Sequence, residues 1–186
     1  PEGLSRIYYA TASNEQLQYV SPLREMALGS FQAFLSIIAD HNTKSLTNVD
    51  SGKIALRQRS MAPLNQLFME RAAKGEMRWC VALYPTLGLA QEASMSLDEY
   101  AEFVMEGCLL NSSDPKAQWQ EVHDQQERYV EFLNGVDVIE VKAKDTDLRL
   151  RLKGRTWENC DGRMNFPDGE ILTAPIEASV EGVIRF

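Results

Sequence analysis

The periodicity of apolar and polar positions along the chain changes near residue 135. Before that point, two nearly continuous apolar runs flank a long segment of helical period. A short run that is apolar throughout suits a strand buried on both faces, and strand–helix–strand spacing is typical of a parallel βαβ unit. We therefore predict strands over residues 31–39 and 77–84, with a helix as the alternative for the first. We also predict a helix over residues 50–74 that Pro63 kinks or divides.

Helix-start signals predict four further helices. The start signals are Ser13, Ser21, Ser96 and Asp114. Ser13 and Ser96 are each followed three residues later by Gln or Glu, the capping-box pattern, whereas Ser21 and Asp114 each precede a proline. The predicted helices cover residues 14–20 and 22–28 and the segments that follow Ser96 and Asp114.

Beyond residue 135 the pattern alternates, as in half-exposed strands. Residues 136–142 and 148–153 predict an antiparallel hairpin with its turn at 145–147. Short β-prone runs follow at residues 155–157, 171–173 and 183–186, separated by the turn dipeptides Asp161-Gly162 and Asp168-Gly169. The predicted fold class is therefore α/β: a partial parallel sheet with flanking helices, followed by an antiparallel β-rich portion. We place the domain boundary at residue 135.

Composition narrows the function classes. A net charge of −8 argues against nucleic-acid binding, which needs clustered basic residues. No apolar run approaches the ~18 residues of a membrane helix, and no secretory signal opens the chain. Three widely spaced cysteines without a CxxC pair suit reduced thiols. We expect a cytoplasmic protein without membrane partners, and Pro1 suggests a chain cut from a longer one.

One carboxylate stands out as candidate chemistry. Glu170 lies where the Asp168-Gly169 turn enters an apolar strand, so it is either a solvated turn residue or a carboxylate held rigidly for a purpose. The loop 84–88 follows a predicted parallel strand, where α/β sheets bind ligands, but we favour a simple turn over a direct substrate role.

His41 has no partner pattern, and we interpret it as a solvated side chain. Glu121, His123 and Glu127 could share a helix face, but without a second histidine the helical zinc pattern is incomplete, so we interpret His123 as a surface histidine.

Two sequence blocks carry a family resemblance. The first runs over residues 78–92 (RWCVALYPTLGLAQE) with MSLDEY at 95–100, and the second over residues 165–175 (NFPDGEILTAP) with SVEG at 179–182. In this order they resemble the thermophilic metallo-aminopeptidases typified by aminopeptidase T, which are also described as leucyl aminopeptidase-like metalloproteases. The resemblance is strong from about Met77 onward and weak before it.

The resemblance implies a function and one site residue. Glu170 aligns with a carboxylate that ligates metal in the family. Two ions (zinc, cobalt or magnesium) would there activate water to hydrolyse N-terminal residues from peptides. The family's other ligands (two His, an Asp and a Glu) and its Tyr are expected beyond Phe186. Residues 1–135 would then be an α/β domain incomplete at its start, and residues 136–186 the beginning of the catalytic domain.

Several expectations follow for the segment itself. It should contain no catalytic residue and no cofactor-binding residue other than the metal ligand Glu170, because one carboxylate cannot hold an ion tightly. The segment alone should therefore be inactive. The family resemblance also implies a homodimer.

Two other functions stay open. The first is a non-catalytic α/β binding or interaction module of the same ancestry. The second is an unrelated carboxylate hydrolase that pairs Glu170 with Asp161 or Glu177, which would require an acid with a raised pKa.

Overall fold

The chain divides into two compact units, one ending at Val104 and the other beginning at Met105. The computed structural model describes residues 3–185. None of the helices in this range combines the length and the apolar character that a bilayer crossing requires.

The first unit contains a parallel strand pair joined by a long helix. Its strands are β1 (Ala33–Ile38) and β2 (Arg78–Leu83), and its helices are α1 (Leu4–Thr11), α2 (Asn14–Gln18), α3 (Pro22–Ser30), α4 (Ser51–Ala73) and α5 (Leu87–Glu92). β1 pairs with β2 in parallel, from Ala33 opposite Arg78 to Ile38 opposite Leu83, and α4 is the connection. The predicted βαβ unit is confirmed. Helix α1 was not predicted, because its N-cap Gly3 gives no side-chain cap, and α5 was not predicted although Thr86 caps it.

Side-chain capping is present at Ser13, Ser96 and Asp114, whereas Ser21 makes no side-chain cap hydrogen bond. Ser13 and Gln16 form both hydrogen bonds of the capping box at α2, and Asp50 accepts from the Gly52 amide at α4.

Of the two predicted effects of Pro63, division of the segment is wrong, since α4 is one helix of 23 residues, and a kink stays a prediction. The apolar side chains on either side of the proline, Met61 and Leu64, pack with Leu28 and hold both halves of α4 to the same core.

The prediction that β1 is buried on both faces is also wrong. Phe34 is half-buried against the cluster of Leu28, Met61 and Leu64. Leu35 and Ile37, which alternate with it along the strand, are 68% and 62% exposed. Among residues 3–185, no layer covers the face of β1 that carries Leu35 and Ile37. These apolar side chains therefore lie on the surface.

The second unit combines one long helix with short antiparallel strands. Helix α6 (Leu97–Gly107) contains the boundary between the units, and α7 (Pro115–Leu133) lies wholly within the second. The strands are β3 (Val138–Ala143), β4 (Thr146–Arg151), β5 (Glu158–Cys160), β6 (Asn165–Phe166), β7 (Glu170–Leu172) and β8 (Glu181–Val183), with a 3₁₀ turn at Glu177–Ser179. The pairs β3–β4, β4–β8 and β5–β7 are antiparallel, which confirms the predicted fold class.

Two details of this unit differ from the pattern. The hairpin β3–β4 turns at Lys144 and Asp145, where Asp145 has a φ of 57°, one residue earlier than predicted. The strand predicted at residues 155–157 lies instead at Glu158–Cys160, because the Gly169 amide donates to the Cys160 carbonyl and sets the β5–β7 register. The second compact unit includes α7 together with the strands. The domain boundary at residue 135 stays a prediction.

Candidate metal centre

The hairpin β5–β7 places the predicted ligand opposite a cysteine. Cys160 and Glu170 are paired residues of this antiparallel ladder. The loop between them is closed by the Gly169 amide, which donates to the Cys160 carbonyl at 3.0 Å, and by the Gly162 amide, which donates to Oδ2 of Asp168 at 3.1 Å. Gly169 has a φ of +120°, a conformation open to glycine, and it aims the chain into β7. Glu170 is thus the first residue of a fixed strand.

Three potential ligands converge at this point. Cys160, Asp168 and Glu170 each offer one donor atom, and these atoms lie within 4.8 Å of one another. Cys160 is buried, Asp168 is half-buried and Glu170 is exposed. The sequence indicated only Glu170. Asp168 stands two residues before it, but Cys160 joins the group only through the strand register.

The donor set fits a divalent cation in part. Two carboxylates are suitable ligands for such an ion. Burial, followed by the negative charges of Asp168 and Glu158, raises the pKa of the Cys160 thiol to about 11. The thiol is therefore protonated near neutral pH and would have to release a proton to bind metal. Glu170 and Asp168 are accordingly the residues that would hold an ion, with further ligands needed to complete its shell.

A second polar cluster surrounds His123, whose side chain is 30% exposed, in keeping with a surface histidine, and pairs with a carboxylate that the sequence did not indicate. Its Nδ1 lies 2.7 Å from Oδ2 of Asp161, which is buried. Nε of Arg163 donates to Oδ1 of the same carboxylate at 2.9 Å. Asn159 donates from Nδ2 to the His123 carbonyl at 3.1 Å and to Glu127 at 2.9 Å. A sequence separation of 38 residues hides the pairing of His123 with Asp161.

Asp161 and Glu177, the two possible partners of Glu170 in an unrelated hydrolase, both have lowered pKa values. Burial favours the neutral form of Asp161, but hydrogen bonds from Arg163 and His123 and the charge of Arg163 outweigh it, so its pKa is lowered. A backbone hydrogen bond and the nearby charge of Arg155 lower the pKa of Glu177. Neither carboxylate is the raised-pKa acid that this hypothesis requires.

The loop after β2 is accounted for by packing. Thr86 is buried, and its hydroxyl donates to the Asp40 carbonyl, while a side chain at Gly88 would collide with the His41 carbonyl. The segments that follow β1 and β2 therefore pack tightly together. His41 itself is exposed, as predicted.

Comparisons with known proteins agree with one another. Residues 1–186 match the model of the thermophilic metalloprotease (M29) family. Aminopeptidase 2 of Geobacillus stearothermophilus is 25% identical over 206 residues, covering 99% of this chain and 49% of its own length. The structure of wild-type AmpT from Thermus thermophilus matches with a TM-score of 0.72 and 25% identity, over 96% of this chain and 49% of that one. The chain thus spans about half the length of these relatives, and its full-length match shows that it belongs to the thermophilic metalloprotease (M29) family.

Proposed function

We propose that this chain is a portion of a metal-dependent aminopeptidase, in which Glu170 supplies a carboxylate ligand to a divalent cation. The observation that carries the proposal is the convergence of Glu170 with Asp168 and Cys160, their donor atoms within 4.8 Å of one another. Membership of a metalloprotease family and similarity to Aminopeptidase 2 support it.

The position of Glu170 suggests that it supplies one ligand of a metal site whose other ligands come from elsewhere. Glu170 is exposed although the backbone on both sides of it is hydrogen-bonded into the hairpin. An exposed carboxylate on a fixed strand can act as one ligand of an ion whose other ligands come from elsewhere. When bound, a divalent cation supplies Lewis acidity, which polarises a peptide carbonyl and activates water. Asp168, whose Oδ2 also accepts from the Gly162 amide, would offer the second carboxylate and hold the turn that presents Glu170.

The finer features of the function are proposals as well. They comprise the use of two ions, the choice among zinc, cobalt and magnesium, peptide N-termini as substrate and assembly as a homodimer. The similarity to aminopeptidases supports the substrate class. The 186-residue chain alone should bind zinc or cobalt no tighter than micromolar, because its three convergent donors do not make a full ligand set.

The test replaces one carboxylate in the natural full-length protein. Glu170→Gln keeps the side-chain shape and removes the anionic ligand, so we expect at least a hundredfold loss of aminoacyl-p-nitroanilide hydrolysis and a lower bound-metal stoichiometry. Glu158→Gln is the matched control, because Glu158 is an exposed carboxylate on the paired strand β5. Wild-type hydrolysis and metal content in Glu170→Gln would refute the proposal. If the unaltered protein does not hydrolyse the substrate either with or without chelator, the result would favour the non-catalytic module.

A further inference from the structure

The backbone at Glu170 is held by a side chain from outside the hairpin. Strand β7 has three residues and pairs with β5 through only three residue pairs. Because the ladder is this short, the orientation of its first residue also depends on contacts from outside the hairpin. Gln126 of α7 reaches this point, and its Nε2 donates to the Glu170 carbonyl at 2.7 Å.

Packing alone does not explain a glutamine at this place. Gln126 is 8% exposed, one of the few buried polar side chains among residues 3–185. Its Oε1 is buried and has no hydrogen-bond partner within this part of the chain. An apolar residue of similar size would avoid burying an unpaired acceptor. The amide orientation is settled chemically, because only the NH₂ group can donate to a carbonyl.

A second amide ties the same elements together in the opposite direction. Asn159 lies on β5 beside Cys160 and is paired across the ladder with Ile171. Its Nδ2 donates to the His123 carbonyl of α7 at 3.1 Å and to the Glu127 carboxylate at 2.9 Å. Gln126 therefore links α7 to β7, and Asn159 links β5 to α7. The two links brace both strands of the hairpin against one helix.

From these contacts we propose that Gln126 is a positioning residue for the Glu170 carboxylate. By fixing the Glu170 carbonyl, it sets the peptide plane at the start of β7 and hence the direction of the side chain that leaves the same residue. A ligand must be held within about half an ångström of its productive place, so loss of this hydrogen bond loosens metal binding without removing a ligand. This inference rests on the proposed function, since it assumes that Glu170 binds metal.

The test measures cobalt binding in the natural full-length protein. The metal-free protein is titrated with Co²⁺ against a competing chelator, and the visible absorption of the bound ion is recorded. Gln126→Met keeps the length of the side chain and removes the donor. We expect its Co²⁺ affinity to fall by about tenfold or more, with a changed absorption spectrum, at temperatures where the protein is fully folded.

Matched variants separate positioning from general stability. Gln125→Met makes the same change one residue earlier on α7, at an exposed position, and should keep the wild-type affinity and spectrum. Affinity and spectrum within twofold of wild type in folded Gln126→Met would overturn the inference. If that variant does not fold, Gln126→Ala decides. Weaker binding supports the inference, because alanine has no group that donates to the carbonyl, and equal binding overturns it.

The Glu170→Gln protein, titrated in parallel, keeps the two proposals apart. Loss of Co²⁺ binding there together with retained binding in Gln126→Met refutes only the positioning role. Wild-type Co²⁺ binding by Glu170→Gln refutes the proposed function, and the inference that rests on it falls as well.

Discussion

The thiol of Cys160 shows how single residues acquire their chemistry from burial. Cys160 and Cys108 are both buried, and burial raises the pKa of each thiol. Because the thiolate is the reactive form, both should be inert near neutral pH. Cys80 is only half-buried, and all three cysteines are free. Reactivity toward thiol reagents therefore reports the environment of each cysteine.

We expect one fast thiol out of three. In the folded chain at pH 7.5, Cys80 should react with a disulfide reagent at least tenfold faster than Cys108 and Cys160, because those two thiols are both protonated and inaccessible. Thiol release followed by absorbance measures this. In Cys80→Ser the fast phase should vanish, and its persistence would contradict the assignment.

The carboxylate of Asp161 makes the free energy of unfolding depend on pH in the acidic range. Its folded-state pKa lies below the ordinary 3.8, so its contribution to the free energy of unfolding is complete above that pH. The contribution disappears as the pH falls from about 3.8 through the lower folded-state value. Its hydrogen bonds with Arg163 and His123 are the interactions lost.

Urea unfolding at a series of pH values tests this dependence. Asp161→Asn should lower the free energy of unfolding by about 1–2 kcal/mol at pH 6, in line with hydrogen bonds to a charged group. The difference from wild type should shrink below pH 3.8. Asp145→Asn, at an exposed turn position, is the control and should change little at either pH. A difference for Asp161→Asn that is independent of pH would contradict the assigned cause.

At the scale of elements, one helix organises three others. Basic side chains of α4 donate to carbonyls that follow or end the three preceding helices. Lys53 contacts the Tyr9 carbonyl at 2.8 Å at the end of α1. Arg57 contacts the Tyr19 carbonyl at 2.6 Å after α2, and Arg71 contacts the Phe31 carbonyl at 3.0 Å after α3. Because helix C-termini carry unpaired carbonyls and partial negative charge, these contacts stabilise α1–α3 against α4.

Two arginines on α4 provide a matched comparison. Arg57 donates to the carbonyls of Leu17 and Tyr19, whereas Arg59 is exposed. Arg57→Met should lower the free energy of unfolding by about 1–2 kcal/mol, because two carbonyls lose a charged donor. Arg59→Met should stay within about 0.5 kcal/mol of wild type. Chemical denaturation measures both, and equal effects would show that the contacts of Arg57 do not stabilise the helix ends.

At the scale of the whole molecule, the chain combines two compact units with a large apolar surface. In the first unit, Leu35 and Ile37 of β1 are exposed, and so are Leu23, Met26 and Phe31 nearby in the chain. Exposed apolar strands at a sheet edge favour association. β1 is such an edge strand. The chain by itself should therefore bind hydrophobic dyes and self-associate.

Threonine substitutions test the consequence of this surface. The double variant Leu35→Thr, Ile37→Thr should reduce dye fluorescence and light scattering by at least twofold, because threonine keeps the strand preference and removes apolar area. Its free energy of unfolding should change by less than about 1 kcal/mol, since both side chains are already exposed. Val183→Thr, in the second unit, is the control for a single exposed apolar residue. Unchanged association of the double variant would exclude β1 as the cause.

One residue of the candidate site, Glu170, could be predicted from local signals, and the rest of the site could not. Glu170 was identified because the turn dipeptide, the strand and the family motif are contiguous in sequence. Gln126, Cys160 and the pairing of His123 with Asp161 were missed. Each depends on a contact between residues far apart in the chain, namely the hydrogen bond from α7 to β7, the β5–β7 register and the approach of α7 to the loop after β5.

Local sequence patterns were enough for most of the helices and strands, three of the four helix caps, the parallel crossover and the family, because these follow from neighbouring residues and from motifs. The tertiary structure alone decided that β1 has an exposed apolar face, that α4 continues through Pro63, and which thiols and carboxylates are buried. Burial, register and pKa depend on which distant segments pack together, and hydrophobic patterning specifies that a residue is apolar without specifying what covers it.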